Sequence, residues 1–230
     1  MSQANYLFSK KLKRDDWLII ISNLIPVFGV LFLKWSAVEV FIVYAMETLI
    51  VGLLTVLKLL ITTFYQKQDN WYNKGTTTKV SGLFFITFFI MHFGIFAAVQ
   101  TSIFSQVAVI TPPGKGMLYF FFHWWEYINK DIGYMLGGFL ISYLVRDFFP
   151  FLQNKEYKTT PMMLLMFQPY GRILIQQFTV IVGSMFLNFK LGVAFILVFA
   201  LAKIFVEVFL NFEDILKKTM ASLAEKSGKQ

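Results

Sequence analysis

The stretch that decides the fold is Val38–Tyr65, which reads VEVFIVYAMETLIVGLLTVLKLLITTFY. It is apolar almost throughout, and its charged residues are Glu39, Glu47 and Lys58. A helix needs about 20 apolar residues to cross a hydrocarbon core of roughly 30 Å, and this stretch is longer than that. We therefore interpret it as a membrane-spanning helix that is tilted or that extends beyond the bilayer.

The composition of the whole chain agrees with this interpretation. Of its 230 residues, 57% are hydrophobic and 15% are charged, whereas soluble domains have about 45–50% and about 25%. These values exclude a disordered chain, a collagen-like chain and an ordinary cytosolic enzyme. The chain has no cysteine, which excludes disulfides and thiolate sites. Its net charge of +8 is expected to face the anionic headgroups of the lipid bilayer, and no nucleic-acid partner is predicted.

Six segments have the length and the composition of a membrane span. The predicted spans are Trp17–Leu33, Val38–Tyr65, Val80–Ile110, Asp131–Phe149, Pro169–Asn188 and Leu191–Phe212. None of them alternates apolar and polar residues, so helices are favoured over strands. The predicted fold class is all-α, a polytopic transmembrane helix bundle. Residues 17–212 form a single domain of about six spans, between an N-terminal tail (1–16) and an amphipathic C-terminal tail (213–230).

The distribution of Lys and Arg predicts the orientation of the bundle. Most of them lie in the two tails and in the second and fourth connections, whereas the other three connections contain few. By the positive-inside rule both tails are then cytoplasmic, which also requires an even number of spans. The expected location is the inner (plasma) membrane, which the chain crosses several times.

Three shorter features lie near the predicted spans. Thr160-Pro161 predicts the start of a short interfacial helix, Met162–Phe167. The aromatic stretch Gly114–Lys130 is typical of the outer headgroup level. Gly133 and Gly137 form a GxxxG pattern, which would allow another helix to pack closely.

Ionisable residues inside the spans are the main candidates for function. A charge at the bilayer centre costs roughly 2.5–3.5 kcal/mol on insertion scales and marks either a site or a buried pair. The candidates are Glu47 in the second span, His92 in the third, Arg172 at the inner start of the fifth, and Lys203 and Glu207 in the sixth. Glu47 requires a cationic partner, for which Arg172 and Lys203 are candidates, and Lys203 and Glu207 are four apart on one helix face.

These five residues predict a buried polar cluster with two interpretations. The cluster either locks the helices together as ion pairs or forms a binding or proton-handling site. The motifs for nucleotide binding, zinc proteolysis and serine hydrolysis do not occur, and no catalytic residue, cofactor or metal is predicted. His123 and Glu126 are three apart, as metal ligands can be, but their aromatic surroundings favour an interfacial segment.

Several short motifs carry a resemblance to a known family. They are Tyr44-Ala45-Met46-Glu47-Thr48 with Gly52 and Lys58, His92-Phe93-Gly94-Ile95-Phe96, Glu156-Tyr157, Pro169-Tyr170-Gly171-Arg172-Ile173, and Lys203. Over about residues 20–212 the chain resembles a bacterial family of polytopic integral membrane proteins, a domain of unknown function with a Pro-Tyr-Gly-Arg-Ile motif. Members of that family often have His where Gln100, Asp147 and Gln177 stand here, so a histidine-based metal or haem site is not expected. The resemblance implies no activity.

Three functions stay open at this point. The first is a small-solute or proton-coupled carrier, in which Glu47 titrates while Arg172 and Lys203 hold it or an anionic ligand. The second is a non-catalytic assembly or accessory subunit of the membrane. The third is a membrane-embedded enzyme that acts on a lipid, with His92 as acid or base. The sequence leans away from an enzyme, and a homo-oligomer would be consistent with so small a bundle.

Overall fold

A computed structural model of the chain gives the fold and describes residues 12–73, 76–171, 173–174, 182–183, 186, 189, 191–209, 216, 218–219 and 222. Most of these residues are helical. The helices are α1 (Arg14–Phe32), α2 (Ala37–Gln66), α3 (Gly82–Val107), α4 (Tyr119–Phe122), α5 (Lys130–Tyr143), α6 (Phe149–Gln153), α7 (Met162–Phe167) and α8 (Gly192–Phe209). Two strands, β1 (Gln68–Asn73) and β2 (Thr76–Ser81), form a hairpin between α2 and α3.

Three helical segments of the described chain are long and apolar enough to cross a membrane. They are α2, α3 and the segment Lys130–Gln153, which contains α5 and α6. Apolar stretches of α1 and α8, Asp16–Phe32 and Gly192–Phe205, are shorter. Most of the predicted fifth span, Pro169–Asn188, lies outside the described residues.

Helix α2 is the centre of the bundle. In its most apolar window 72% of the residues are buried, compared with 33% in α3 and 28% in Lys130–Gln153. It packs against α3, α5, α7 and α8. Ser36 begins the helix by accepting a hydrogen bond from the backbone N–H of Val38, and Glu39 accepts one from the backbone N–H of Ser36. The predicted span Val38–Tyr65 is thus confirmed as a helix that is one residue longer at each end.

The hairpin between α2 and α3 corrects two sequence predictions. Gln68 pairs with Ser81 and Asn73 with Thr76 in antiparallel register. The chain therefore contains one small sheet, which the all-α prediction did not include. The predicted start of the third span at Val80 is wrong, because Val80 belongs to β2. The helix begins at Gly82, where the Ser81 side chain accepts a hydrogen bond from the backbone N–H of Leu83.

The hairpin is attached to α3 and to α7 through side chains of β1. The ring of Trp71 in β1 lies 5.2 Å from the ring of Phe84 and 5.4 Å from that of Phe88. Asp69 accepts a hydrogen bond of 2.5 Å from the backbone N–H of Met162, the first residue of α7. This helix runs over Met162–Phe167, which confirms the prediction from Thr160-Pro161.

A π-helical turn, Leu144–Phe148, joins α5 to α6. Its cause is Pro150, which has no N–H to donate and whose ring would clash with the carbonyl of Arg146 in a regular α-helix. The wider turn relieves this clash, and the backbone N–H of Phe149 donates to the carbonyl of Leu144 instead. The predicted fourth span, Asp131–Phe149, thus continues to Gln153.

The aromatic stretch Gly114–Lys130 contains α4 and a separate 3-10 turn, Trp124–Tyr127. Here Tyr119 donates a hydrogen bond of 2.6 Å to Glu126, which raises the pKa of Tyr119. A Cβ atom added at Gly133 or Gly137 would meet nothing within 4 Å in the described part of the chain, so no described helix packs closely against this GxxxG pattern.

Candidate functional site

The centre of the candidate site is an ion pair between α2 and α8. The Nζ atom of Lys203 lies 2.5 Å from Oε2 of Glu47, and the two side chains are only 2% and 1% exposed. The same Nζ atom lies 5.1 Å from the ring centre of Tyr44 and 4.8 Å from that of Phe139. The ammonium group is therefore held by a carboxylate and by two aromatic faces, which favour a cation.

Tyr143, the last residue of α5, completes this arrangement. Its hydroxyl donates a hydrogen bond to Oε1 of Glu47, so that both carboxylate oxygens have a partner. A buried carboxylate stays ionised only when such partners replace the water that it has lost. The three residues come from three helices, and we call them the central triad: Glu47, Lys203 and Tyr143.

A second ion pair lies nearer to the hairpin end of α2. Lys58 Nζ is 2.5 Å from Oδ1 of Asp147, in the π-helical turn, and also faces the ring of Phe151 at 5.3 Å. Lys58 is 11 positions after Glu47, or about 16 Å along the helix. Its side chain is 6% exposed, whereas that of Asp147 is 32% exposed. This pair is therefore accessible through Asp147.

A small cavity lies between the central triad and the second pair. Its volume is about 30 Å³, which is enough for one or two water molecules. The lining residues come from α2, from the end of α5 and the π-helical turn that follows it, and from α7 and the residues just after it. They are Val51, Leu54, Thr55, Lys58, Tyr143, Asp147, Leu165, Gln168 and Pro169. Tyr143 belongs both to the cavity wall and to the central triad. It therefore borders both the buried carboxylate of Glu47 and a cavity that is lined by apolar and polar side chains.

The predicted site residues do not all meet in one place. Glu47 and Lys203 lie together, whereas His92 is in a different contact: its Nδ1 atom lies 2.7 Å from the hydroxyl of Tyr170, and its side chain is exposed on α3. Arg172 lies outside the described residues. The backbone of Glu207 belongs to α8, but its side chain also lies outside the description.

Sequence reasoning missed three residues of these contacts. Tyr143 carries no charge and gives no signal in an apolar segment. Tyr170 belongs to the Pro169-Tyr170-Gly171-Arg172-Ile173 motif, which indicates no contact with His92. Asp147 stood at the predicted end of the fourth span, where a carboxylate is ordinarily solvated. The i, i+4 spacing of Tyr143 and Asp147 was the one available sign that they share a helix face. In the described part of the chain there is no group of three or more His, Asp or Glu side chains that could hold a metal ion.

Comparison with known proteins places the whole chain in one family. None of the curated proteins and none of the solved structures compared with it matches. A family profile matches residues 5–228, which is nearly the full length, and its description is a family of unknown function. The chain therefore belongs to the family of unknown function DUF6498.

Proposed function

We propose that the chain is a six-span protein of the inner membrane, with both termini in the cytoplasm, and that it is a proton-coupled carrier in which Glu47 binds and releases the proton. The observation that carries this proposal is that Tyr143 joins the Glu47–Lys203 pair to a water-sized cavity. The cavity is too small for a large solute, so it suits a proton that moves through water and side chains.

The electrostatics of the central triad link proton binding to a change of structure. When Glu47 takes up a proton, the buried ammonium of Lys203 loses its counter-charge. The loss of this nearby counter-charge makes the buried ammonium more costly, which favours the release of its proton or a change in its position. Because Lys203 is on α8 and Glu47 on α2, either response alters the contact between these helices.

The second pair gives the cavity a route to water. Asp147 is partly exposed and contacts Lys58, and both residues line the cavity. With both termini in the cytoplasm, the hairpin and this pair lie at the cytoplasmic end of the bundle. We therefore propose that the proton enters past Asp147 and reaches Glu47 by way of Tyr143.

Proton flux into liposomes that contain the purified protein tests this function. A pH gradient is imposed across the vesicles, and a pH-sensitive dye inside them reports the flux. We expect Glu47→Gln to reduce the flux at least tenfold, because the amide cannot bind the proton at neutral pH. Glu39→Gln is the matched control on the same helix: glutamine can also cap a helix, so the flux should stay at the wild-type rate.

Two outcomes would contradict the proposal. One is a wild-type flux no higher than that of empty vesicles, with and without added small solutes. The other is a Glu47→Gln flux equal to that of the wild type. Thermal unfolding shows whether Glu47→Gln, which removes the counter-charge of Lys203 in the buried pair, is folded. If it is not, the double variant Glu47→Gln/Lys203→Met replaces it, because it also lacks the carboxylate, and a wild-type flux in that variant would equally contradict the proposal.

A second candidate function is supported by the burial of the ion pair. Glu47 and Lys203 are almost inaccessible and bonded to each other, as expected of charges that only fix helix packing in an accessory subunit. This function predicts that the double variant Glu47→Gln/Lys203→Met complements a deletion strain as well as the wild type does. A carrier that uses Glu47 predicts that it does not.

A further inference from the structure

His92 occupies an unusual place for a histidine. It follows Gly82, the first residue of α3, by 10 positions, which places it about 15 Å along the helix and so near the middle of a roughly 30 Å hydrocarbon core. Its side chain is exposed on the surface of the bundle, and the neighbouring Met91 and Ile95 are 62% and 66% exposed. A polar ring at this depth faces lipid unless something covers it.

The contact with Tyr170 determines which nitrogen of His92 carries the proton. The hydroxyl of Tyr170 lies 2.7 Å from Nδ1, and it makes no other hydrogen bond to the described residues. An O–H group in an apolar setting requires an acceptor, and Nδ1 supplies it. The neutral imidazole then carries its own proton on Nε2. In the described part of the chain this N–H has no acceptor.

Aromatic rings lie next to the imidazole of His92 and next to its partner Tyr170. The ring of Phe88 lies 5.6 Å from that of His92 and only 9° from parallel to it. The ring of Tyr170 contacts Phe96 at 6.3 Å and Phe167 at 5.7 Å. Phe88 thus covers one face of the imidazole, and Tyr170 lies at its Nδ1 atom. Aromatic surface next to a single exposed donor is suited to a flat ring that carries a hydrogen-bond acceptor.

We propose that His92, Tyr170 and the adjacent aromatic rings form a binding site for a lipid-soluble quinone, whose carbonyl oxygen accepts the hydrogen bond from Nε2 of His92. The depth of His92 excludes phosphate headgroups, which stay at the membrane surface, about 15 Å away from the bilayer centre. Water-soluble ligands are excluded for the same reason. An isoprenoid quinone moves within the hydrocarbon core and combines a flat ring with carbonyl acceptors. This site is separate from the central triad; it rests on the membrane crossing of α3 that is part of the proposed function, and not on the carrier activity of Glu47.

The experiment uses the full-length protein in lipid nanodiscs, with decylubiquinone as the probe. Since the chain has only two histidines, ¹⁵N labelling of histidine gives one set of signals for His92 and one for His123. We expect decylubiquinone to shift the Nε2 signal of His92 in a saturable manner and to leave His123 unchanged. A His92 signal that does not move at saturating probe would overturn the proposal.

Affinity measurements separate the hydrogen bond from general partitioning into lipid. Quenching of tryptophan fluorescence gives the Kd, and His92→Phe keeps a ring but removes the donor. We expect its Kd to rise about three- to tenfold, the effect of losing one hydrogen bond. The matched control, His123→Phe, should leave the Kd unchanged, since that ring lies in the separate aromatic segment beside Tyr119.

The wild-type protein provides a test that needs no variant. A decyl-substituted methylbenzene has a similar ring and tail but no carbonyl oxygen, and we expect it to bind at least threefold more weakly than decylubiquinone. Equal affinity for the two probes would overturn the proposal, and so would an unchanged Kd in His92→Phe. Should His92→Phe fail to fold, the comparison of the two probes decides alone.

Discussion

At the scale of single residues, the central triad shows how an apolar helix bundle keeps buried charges. Glu47 and Lys203 have lost nearly all contact with solvent, so each depends on the other and on Tyr143. Replacing such a pair by neutral residues is often harmless, whereas removing one partner leaves an uncompensated charge. A substitution of one charged residue should therefore lower the stability of the fold more than a double substitution that removes both charges.

Lys203→Met tests this dependence. We expect it to lower the free energy of unfolding by roughly 3–5 kcal/mol, because Glu47 loses its counter-charge in a buried site. The double variant Glu47→Gln/Lys203→Met should recover most of this loss. Thermal unfolding in detergent gives the comparison, with Lys130→Met as the control, since Lys130 is exposed and, among the described residues, faces the ring of Tyr134. Equal destabilisation in the single and double variants would contradict a coupled pair.

The sequence predicted the charged members of the site better than the neutral ones. A carboxylate or an ammonium inside a long apolar stretch is conspicuous because its insertion is costly, which is how Glu47 and Lys203 were chosen. Tyr143 carries no such mark, and its role follows only from the helix packing that brings α5 against α2. A histidine inside a long apolar stretch is also conspicuous, which is why His92 is a candidate. Its partner Tyr170 is 78 positions away, so the sequence does not show that the two residues are in contact.

At the scale of helices and strands, hydropathy predicts long helices and misses local backbone changes. The ends of α2 agree with the prediction to within one residue. The hairpin lies in a polar connection, where hydropathy gives no indication of a strand. Its signal is the run of β-branched Thr76, Thr77 and Thr78 after Asn73-Lys74-Gly75, a typical turn composition. The π-helical turn leaves no hydropathy signal, although Pro150 gives a physical reason for it.

The contact of α2 with α3 depends on a glycine. A Cβ atom at Gly52 would lie 2.4 Å from the ring of Phe93, which is itself buried and lies 4.8 Å from the ring of Phe89. Gly52→Ala must therefore push these rings or the helices apart, at a cost of about 1–3 kcal/mol. Part of this cost is offset by the better helix propensity of alanine, about 1 kcal/mol.

Gly133→Ala is the matched control for this substitution, because it adds the same methyl group in an open place. We expect Gly52→Ala to lower Tm and Gly133→Ala to leave it unchanged or raise it. Thermal unfolding of both variants in the same detergent makes the comparison. A shift of the same sign and size in both would mean that the close approach of α2 and α3 does not contribute to stability.

At the scale of the whole molecule, α3 determines which parts of the chain can share a side of the membrane. It has 26 residues and is therefore about 39 Å long, more than the roughly 30 Å that a hydrocarbon core requires. The hairpin precedes it and the aromatic stretch Gly114–Lys130 follows it. If α3 crosses the bilayer, these two segments are on opposite sides, and the positive-inside rule places the hairpin in the cytoplasm.

Cysteine labelling in whole cells tests both parts of this topology. Because the natural chain has no cysteine, a single introduced thiol reports one position without background. Thr77 in the hairpin and Lys115 in the outer segment are both exposed. We expect a membrane-impermeant maleimide to label Lys115→Cys in intact cells, and Thr77→Cys only after the cells are permeabilised. The reverse order would show that the orientation is inverted while α3 still crosses. Labelling of both positions in intact cells would show that α3 does not separate them, and the six-span arrangement would fail with it.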